Sequence, residues 1–152
     1  MFNNFDFVEG VDPLIAEDLN LAEEYLYSLK DPNGCMLKVG VAMERLVIQH
    51  IAPLEEVKLR TYRPDLSDYL KELEHNYLLP EKVLDALHYI RIRKNDASHE
   101  GFREEYDAQE CLIKSHLILS WFVEFYEFGM ATNYEEPDLV HKLIDGLILV
   151  PR

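Results

Sequence analysis

Apolar residues recur at three- and four-residue intervals over most of this chain, the spacing of helices that bury one face. In residues 12–29, Leu14, Ile15, Leu19, Ala22, Leu26 and Leu29 make such a stripe, and Pro13 suits a first helical position. Asp31 can cap a second helix with Pro32 at its first position. Met36, Val39, Met43, Leu46, Val47 and Ile51 carry its buried face until Pro53 ends it, and Gly34 and Gly40 weaken it. Residues 54–64 follow no period and read as a loop bearing Lys58, Arg60 and Arg63. Asp65 or Ser67 caps a short helix to about Leu73, and Pro80 opens another through Val83, Leu84, Leu87 and Ile90. The last long helix is expected over residues 105–130. Its Leu112, Ile113, Leu117, Leu119, Trp121, Phe122, Phe125 and Phe128 are apolar nearly all round, as suits the central helix of a bundle or a dimer interface.

No alternating strand pattern competes with these helices, so the fold class is all-α, an antiparallel bundle of about five helices. Residues 1–130 read as the helical domain and residues 131–148 as a C-terminal extension, with a turn over 133–137 and a short helix over 138–147. Leu149, Val150, Pro151 and Arg152 match what thrombin leaves of an engineered linker, and the natural chain is then expected to continue past residue 148.

The 152 residues suffice for one core. A net charge of -14 beside 48% hydrophobic residues describes an acidic surface on a globular domain and not disorder. Such a surface opposes broad wrapping of duplex DNA, where phosphate neutralisation dominates affinity, but it could itself imitate DNA. Cys35 and Cys111 lie in apolar helical patterns with no metal-ligand spacing, which implies buried free thiols in a reducing compartment. With no signal peptide and no apolar run long enough to span a bilayer, a cytoplasmic protein without a membrane partner is expected.

Against this acidity, the segment from His88 to Gly101 gathers Arg91, Arg93, Lys94, Asn95 and His99, with Arg103 just beyond. On an unbroken helix Arg91, Asn95 and His99 fall at i, i+4 and i+8 along one face, with Arg93 and Lys94 fanned to either side. A guanidinium gripping phosphate beside an imidazole that moves protons is the equipment of metal-independent phosphodiester cleavage. A basic last turn opposing the helix dipole fits the same residues.

Other chemistries lack their motifs. No glycine is followed by Lys, so there is no phosphate loop for ATP, and Glu56-Val57-Lys58 precedes Pro64-Asp65, the reverse of a metal nuclease order. No HExxH occurs, and no metal or cofactor is expected. His50, His75, His116 and His141 read as surface or satisfied core histidines. The cluster Trp121, Phe122, Phe125, Tyr126 and Phe128 reads as core before it reads as a base-stacking surface.

The opening NFDFVEG, the stretch from Ser28 to Val47, the stretch from Ala86 to His99 and the stretch from His116 to Tyr126 together resemble the helical N-terminal domain of type I restriction enzyme R subunits. Arg91, Asn95, Ala97 and His99 match that family's pattern, while Lys94 stands at its usual glycine. The family is similar in turn to the HEPN helical bundles, in which Arg and His, four to six residues apart, form a ribonuclease site across a dimer. Arg93 and His99 have that spacing, with Asn95 between them.

The resemblance implies a HEPN-like, non-catalytic module at the front of an ATP-dependent restriction endonuclease, since this chain lacks the ATPase and nuclease motifs. Its partners would be a second copy, other restriction-modification subunits, and RNA or DNA touched by Arg91, Lys94 and Arg103. The alternative is a metal-independent ribonuclease in which Arg93 holds the scissile phosphate, His99 serves as acid or base, and Asn95 orients the 2′-hydroxyl or phosphate. An acidic DNA mimic is the third reading.

Overall fold

The computed structural model describes residues 3–136, and over them the chain is helical with no strand. Five helices follow in order: α1 (Pro13–Glu23), α2 (Pro32–Leu46), α3 (Leu66–His75), α4 (Glu81–Glu100) and α5 (Glu105–Phe125). A 3₁₀ turn, Asp6–Val8, precedes them. No helix among the described residues is long and apolar enough to cross a membrane.

The helices start where the capping chemistry requires. Asp12 accepts from the N–H of Leu14 at 3.0 Å and Asp31 from that of Gly34 at 3.0 Å, each followed by proline at the first helical position. Asp65 and Asp68 form a reciprocal capping box at the start of α3. Asp12 does more than cap. Its second oxygen takes Arg45 Nε at 2.6 Å and His50 Nε2 at 2.7 Å, tying the start of α1 to the end of α2. Burial raises its pKa, but the bonds from His50, Arg45 and Leu14 outweigh that and hold it below its ordinary value.

Three expected boundaries and two burials shift. The second helix does not stop at Pro53: a π-helical turn, Val47–Ile51, carries it into a last α-turn, Ala52–Leu54. Pro53 has no N–H for the carbonyl four residues back, and the widened turn immediately before it is where the ladder absorbs that gap. The first helix likewise runs into a π turn, Glu24–Ser28. The last helix ends at Phe125 and not near Met130, because Glu127 takes a left-handed φ of 61° and the Phe128 N–H turns back to Val123 O at 2.7 Å. Leu14 and Leu29, expected in the buried stripe, are exposed.

The central helix is α2, which packs against α1, α4 and α5; the apolar breadth of α5 had suggested that role for the last helix. Met36, Val39, Met43 and Leu46 of α2 meet Ile15 and Leu19 of α1, Leu87 and Ile90 of α4, and Leu112 and Phe122 of α5 in one buried core. α5 buries one face chiefly against α2 and α4, while Tyr106, Ile113 and Phe125 face outward. Residues 131–136 are irregular and pass beside the N-terminus, where Glu135 exchanges hydrogen bonds with Asn4. The expected turn reaches beyond them, and the expected helix over 138–147, His141 and the thrombin remnant lie outside the described residues.

Candidate functional site

α4 runs unbroken through the basic segment and ends at Gly101, whose φ of 66° is the left-handed cap that turns the chain toward α5. Two carbonyls beside this corner, those of Ala97 and Phe102, accept from Asn33 Nδ2, each at 2.8 Å. A polar side chain at the start of α2 thus fixes the end of the helix that carries the basic residues.

The continuous helix sorts those residues by direction. At about 100° per residue, Arg91, Asn95 and His99 lie within an arc of roughly 80°, whereas Arg93 and His99 stand about 120° apart. Arg93 turns toward α5. Its Nε meets Asp107 Oδ1 at 3.1 Å, its Nη1 meets Asp96 Oδ2 at 3.0 Å, and its guanidinium lies over the rings of Tyr89 and Phe102 at 5.1 and 5.2 Å. Tyr89 donates to the same Asp107 oxygen at 2.7 Å; burial first and then this bond push its phenol pKa up, so it stays a donor. The Asp107 bond joins α4 to α5, and the other contacts of Arg93 lie within α4 or its turn into α5.

The other face is different. Arg91 is half-buried, and its Nε has no hydrogen-bond partner among the described residues. With Lys94 and Asn95 of α4 and Ser67 of α3 it lines a cavity of about 120 Å³, to which Glu44 and Asp65 also contribute. Lys94 reaches Glu44 at 3.7 Å, and Asp65 is held in its capping box. Asn95 and His99 are exposed, and His99 has no hydrogen bond or ion pair among the described residues. Arg103, beyond Gly101, is exposed, its Nε 3.5 Å from Gly101 O.

The structure thus brings Arg91, Lys94 and Asn95 to one cavity beside α4, with His99 exposed one turn beyond Asn95 and outside that lining. It places Arg93 on another side of α4 and leaves Arg103 in the α4–α5 turn. Asn33, Glu44, Asp96 and Asp107 belong to the surroundings of the site and were not singled out from sequence, and Ser67 was read only as a candidate helix cap. Only Asp96, three residues from Arg93 on the same helix, carried a local signal.

His116 and the two cysteines belong to the core. His116 is packed by Phe5, Phe7 and Tyr134, and burial lowers its pKa, with a Thr132 backbone group opposing. Cys35 and Cys111 are free and buried, and burial pushes the Cys111 thiol up to about 12, so neither is a nucleophile near neutral pH. Among the described residues no group of three or more His, Cys, Asp or Glu side chains could hold a metal ion. The aromatic cluster divides: Phe122 is fully buried, Tyr126 donates to Glu55 at 2.6 Å, and Trp121 stacks on an exposed Phe125.

A domain of unknown function, DUF4145, matches residues 22–125. The chain belongs to the DUF4145 family. The matched span holds α2 to α5 and so includes both the basic segment of α4 and the Asn33 contact that fixes its end. No curated protein and no solved structure matches the chain.

Proposed function

We propose that this DUF4145 chain is a non-catalytic, HEPN-like accessory module, resembling the N-terminal domain of type I restriction enzyme R subunits, which contacts nucleic acid through the α4 face of Arg91, Lys94, Asn95 and His99. The observation that carries the reading is the division of the two arginines. Arg93 is bound by two carboxylates and two aromatic rings, so the Arg93–His99 pair of a ribonuclease is not assembled within one chain. Arg91 lines a cavity and has no ion pair among the described residues. A guanidinium in that state gains most from a phosphate oxygen. Two buried free cysteines fit a cytoplasmic setting, and docking to other restriction-modification subunits belongs to the same reading.

A second reading rests on the exposure of Asn95 and His99. In a homodimer a second copy could face them and complete a metal-independent ribonuclease site. One experiment separates the two: incubate the domain with single-stranded RNA in chelator, and follow binding and cleavage together. Binding without cleavage supports the module, and cleavage lost in His99→Ala supports the ribonuclease.

A further inference from the structure

Among the arginines with partly buried side chains, Arg45 and Arg93 have their Nε on a carboxylate, at 2.6 and 3.1 Å; Arg91 does not. A guanidinium that lines a cavity and has no carboxylate of its own can take an oxyanion from outside. The cavity beside it offers Lys94, the Asn95 amide and the Ser67 hydroxyl. Its two carboxylates have work of their own: Glu44 faces Lys94 at 3.7 Å, and Asp65 Oδ1 takes the Asp68 N–H at 2.9 Å. About 120 Å³ is room for one small oxyanion and its hydration, not for a folded ligand.

The loop that runs into Asp65 adds a second, independent feature. Lys58, Arg60 and Arg63 are exposed on it and have no ion pair among the described residues. Between them Tyr62 is 83% exposed, with the Arg63 guanidinium 5.3 Å from its ring centre. A large aromatic held out in water among cations buries nothing in the fold, and it is the arrangement on which an unpaired base stacks. Tyr62 stands three residues before Asp65, so their Cα atoms are within about 11 Å, a reach of roughly one or two nucleotides. On a chain of net charge -14, so small a basic area favours a flexible single strand over a duplex.

We propose that the Arg91 cavity is a phosphate pocket for single-stranded nucleic acid and that Tyr62 stacks the neighbouring base. This rests on the nucleic-acid reading above and adds to it the strand type and a contact outside α4. The test is fluorescence anisotropy at low salt with a short fluorescein-labelled oligouridylate and, as a phosphate-only probe, competition by pyrophosphate. Tyr62→Ala should weaken the oligonucleotide about tenfold and leave pyrophosphate competition unchanged, and Tyr62→Phe should retain binding. Arg91→Ala should weaken both, and Asp65→Asn, which keeps a capping side chain while removing a negative charge, should strengthen both. Circular dichroism checks that each variant is folded. Oligonucleotide binding indifferent to Tyr62→Ala would overturn the stacking site and leave the α4 reading standing. Absence of oligonucleotide binding by the wild type overturns both.

Discussion

The stem of Lys94 lies across Gly40: a Cβ added to the glycine would fall 2.2 Å from the lysine Cγ and 2.6 Å from its Cβ. The glycine that weakens α2 in isolation is what lets α4 approach it. Gly40→Ala gains about 1 kcal/mol of helix propensity but meets the near end of a side chain, which cannot swing clear, so a net loss of about 1–2 kcal/mol is expected. In a Lys94→Ala background the loss should shrink but persist, because the Cβ kept at position 94 still falls 2.6 Å from the added one. Urea denaturation of the four proteins measures the coupling, and strictly additive effects would show that the contact is not tight.

Asn33→Ala removes both donors from the carbonyls of Ala97 and Phe102. The expected loss is about 1–3 kcal/mol, with faster amide exchange concentrated around the α4–α5 corner. A uniform loss of protection across the bundle would argue against this local role.

Arg93→Ala should lower the melting temperature without lowering affinity for nucleic acid. Its side chain is 30% exposed, so solvent screening holds the expected loss to about 1 kcal/mol, and Arg93→Lys should not restore it, because an ammonium cannot reproduce the two-carboxylate, two-ring contact. Weakened oligonucleotide binding in a stable Arg93→Ala protein would move the contact to the wrong face of α4.

Glu23 sets a pH dependence. It is fully buried, with Oε2 accepting from Asn4 Nδ2 at 2.8 Å, and burial, opposed by this bond, raises its pKa from 4.5 to about 7. Between those values the folded chain holds a proton that the unfolded chain has released, so stability falls as pH rises from 4.5 to about 7 and levels off above. The change is about 3 kcal/mol at most. Asp12 works in the opposite sense, its lowered pKa adding stability that is lost as pH falls below 3.8. Glu23→Gln should flatten the fall between pH 5 and about 7 and raise the melting temperature at alkaline pH, as thermal melts across pH would read. A profile unchanged by the substitution would mean that Glu23 is ionised in the folded chain.

The helices were legible because their signals are local: Pro13, Asp31-Pro32 and a cap at Asp65 or Ser67 lie within a few residues of the starts they mark, and the structure takes Asp65. The ends of α2 and α5 were not. Whether Pro53 stops a helix depends on the π turn before it, and the stop at Phe125 depends on a left-handed glutamate. The i, i+4, i+8 alignment of Arg91, Asn95 and His99 followed from helix geometry alone. Which arginine is engaged could not be read that way, because Asp107 lies on the next helix and the Arg91 cavity is closed by Ser67, 24 positions away in sequence. Lys94, standing at the resembled family's glycine, was also ambiguous until Gly40 was found beneath it.

On the proposed reading the Arg91 face binds phosphate and does no chemistry. That is tested most directly by mixing the wild type and the Arg91→Ala, Arg93→Ala and His99→Ala variants with labelled single-stranded RNA in chelator and following anisotropy and strand integrity in the same samples. The expected result is intact RNA throughout, binding that weakens with salt, and a loss of affinity in Arg91→Ala that Arg93→Ala does not share. RNA cleaved by the wild type and spared by His99→Ala would contradict it.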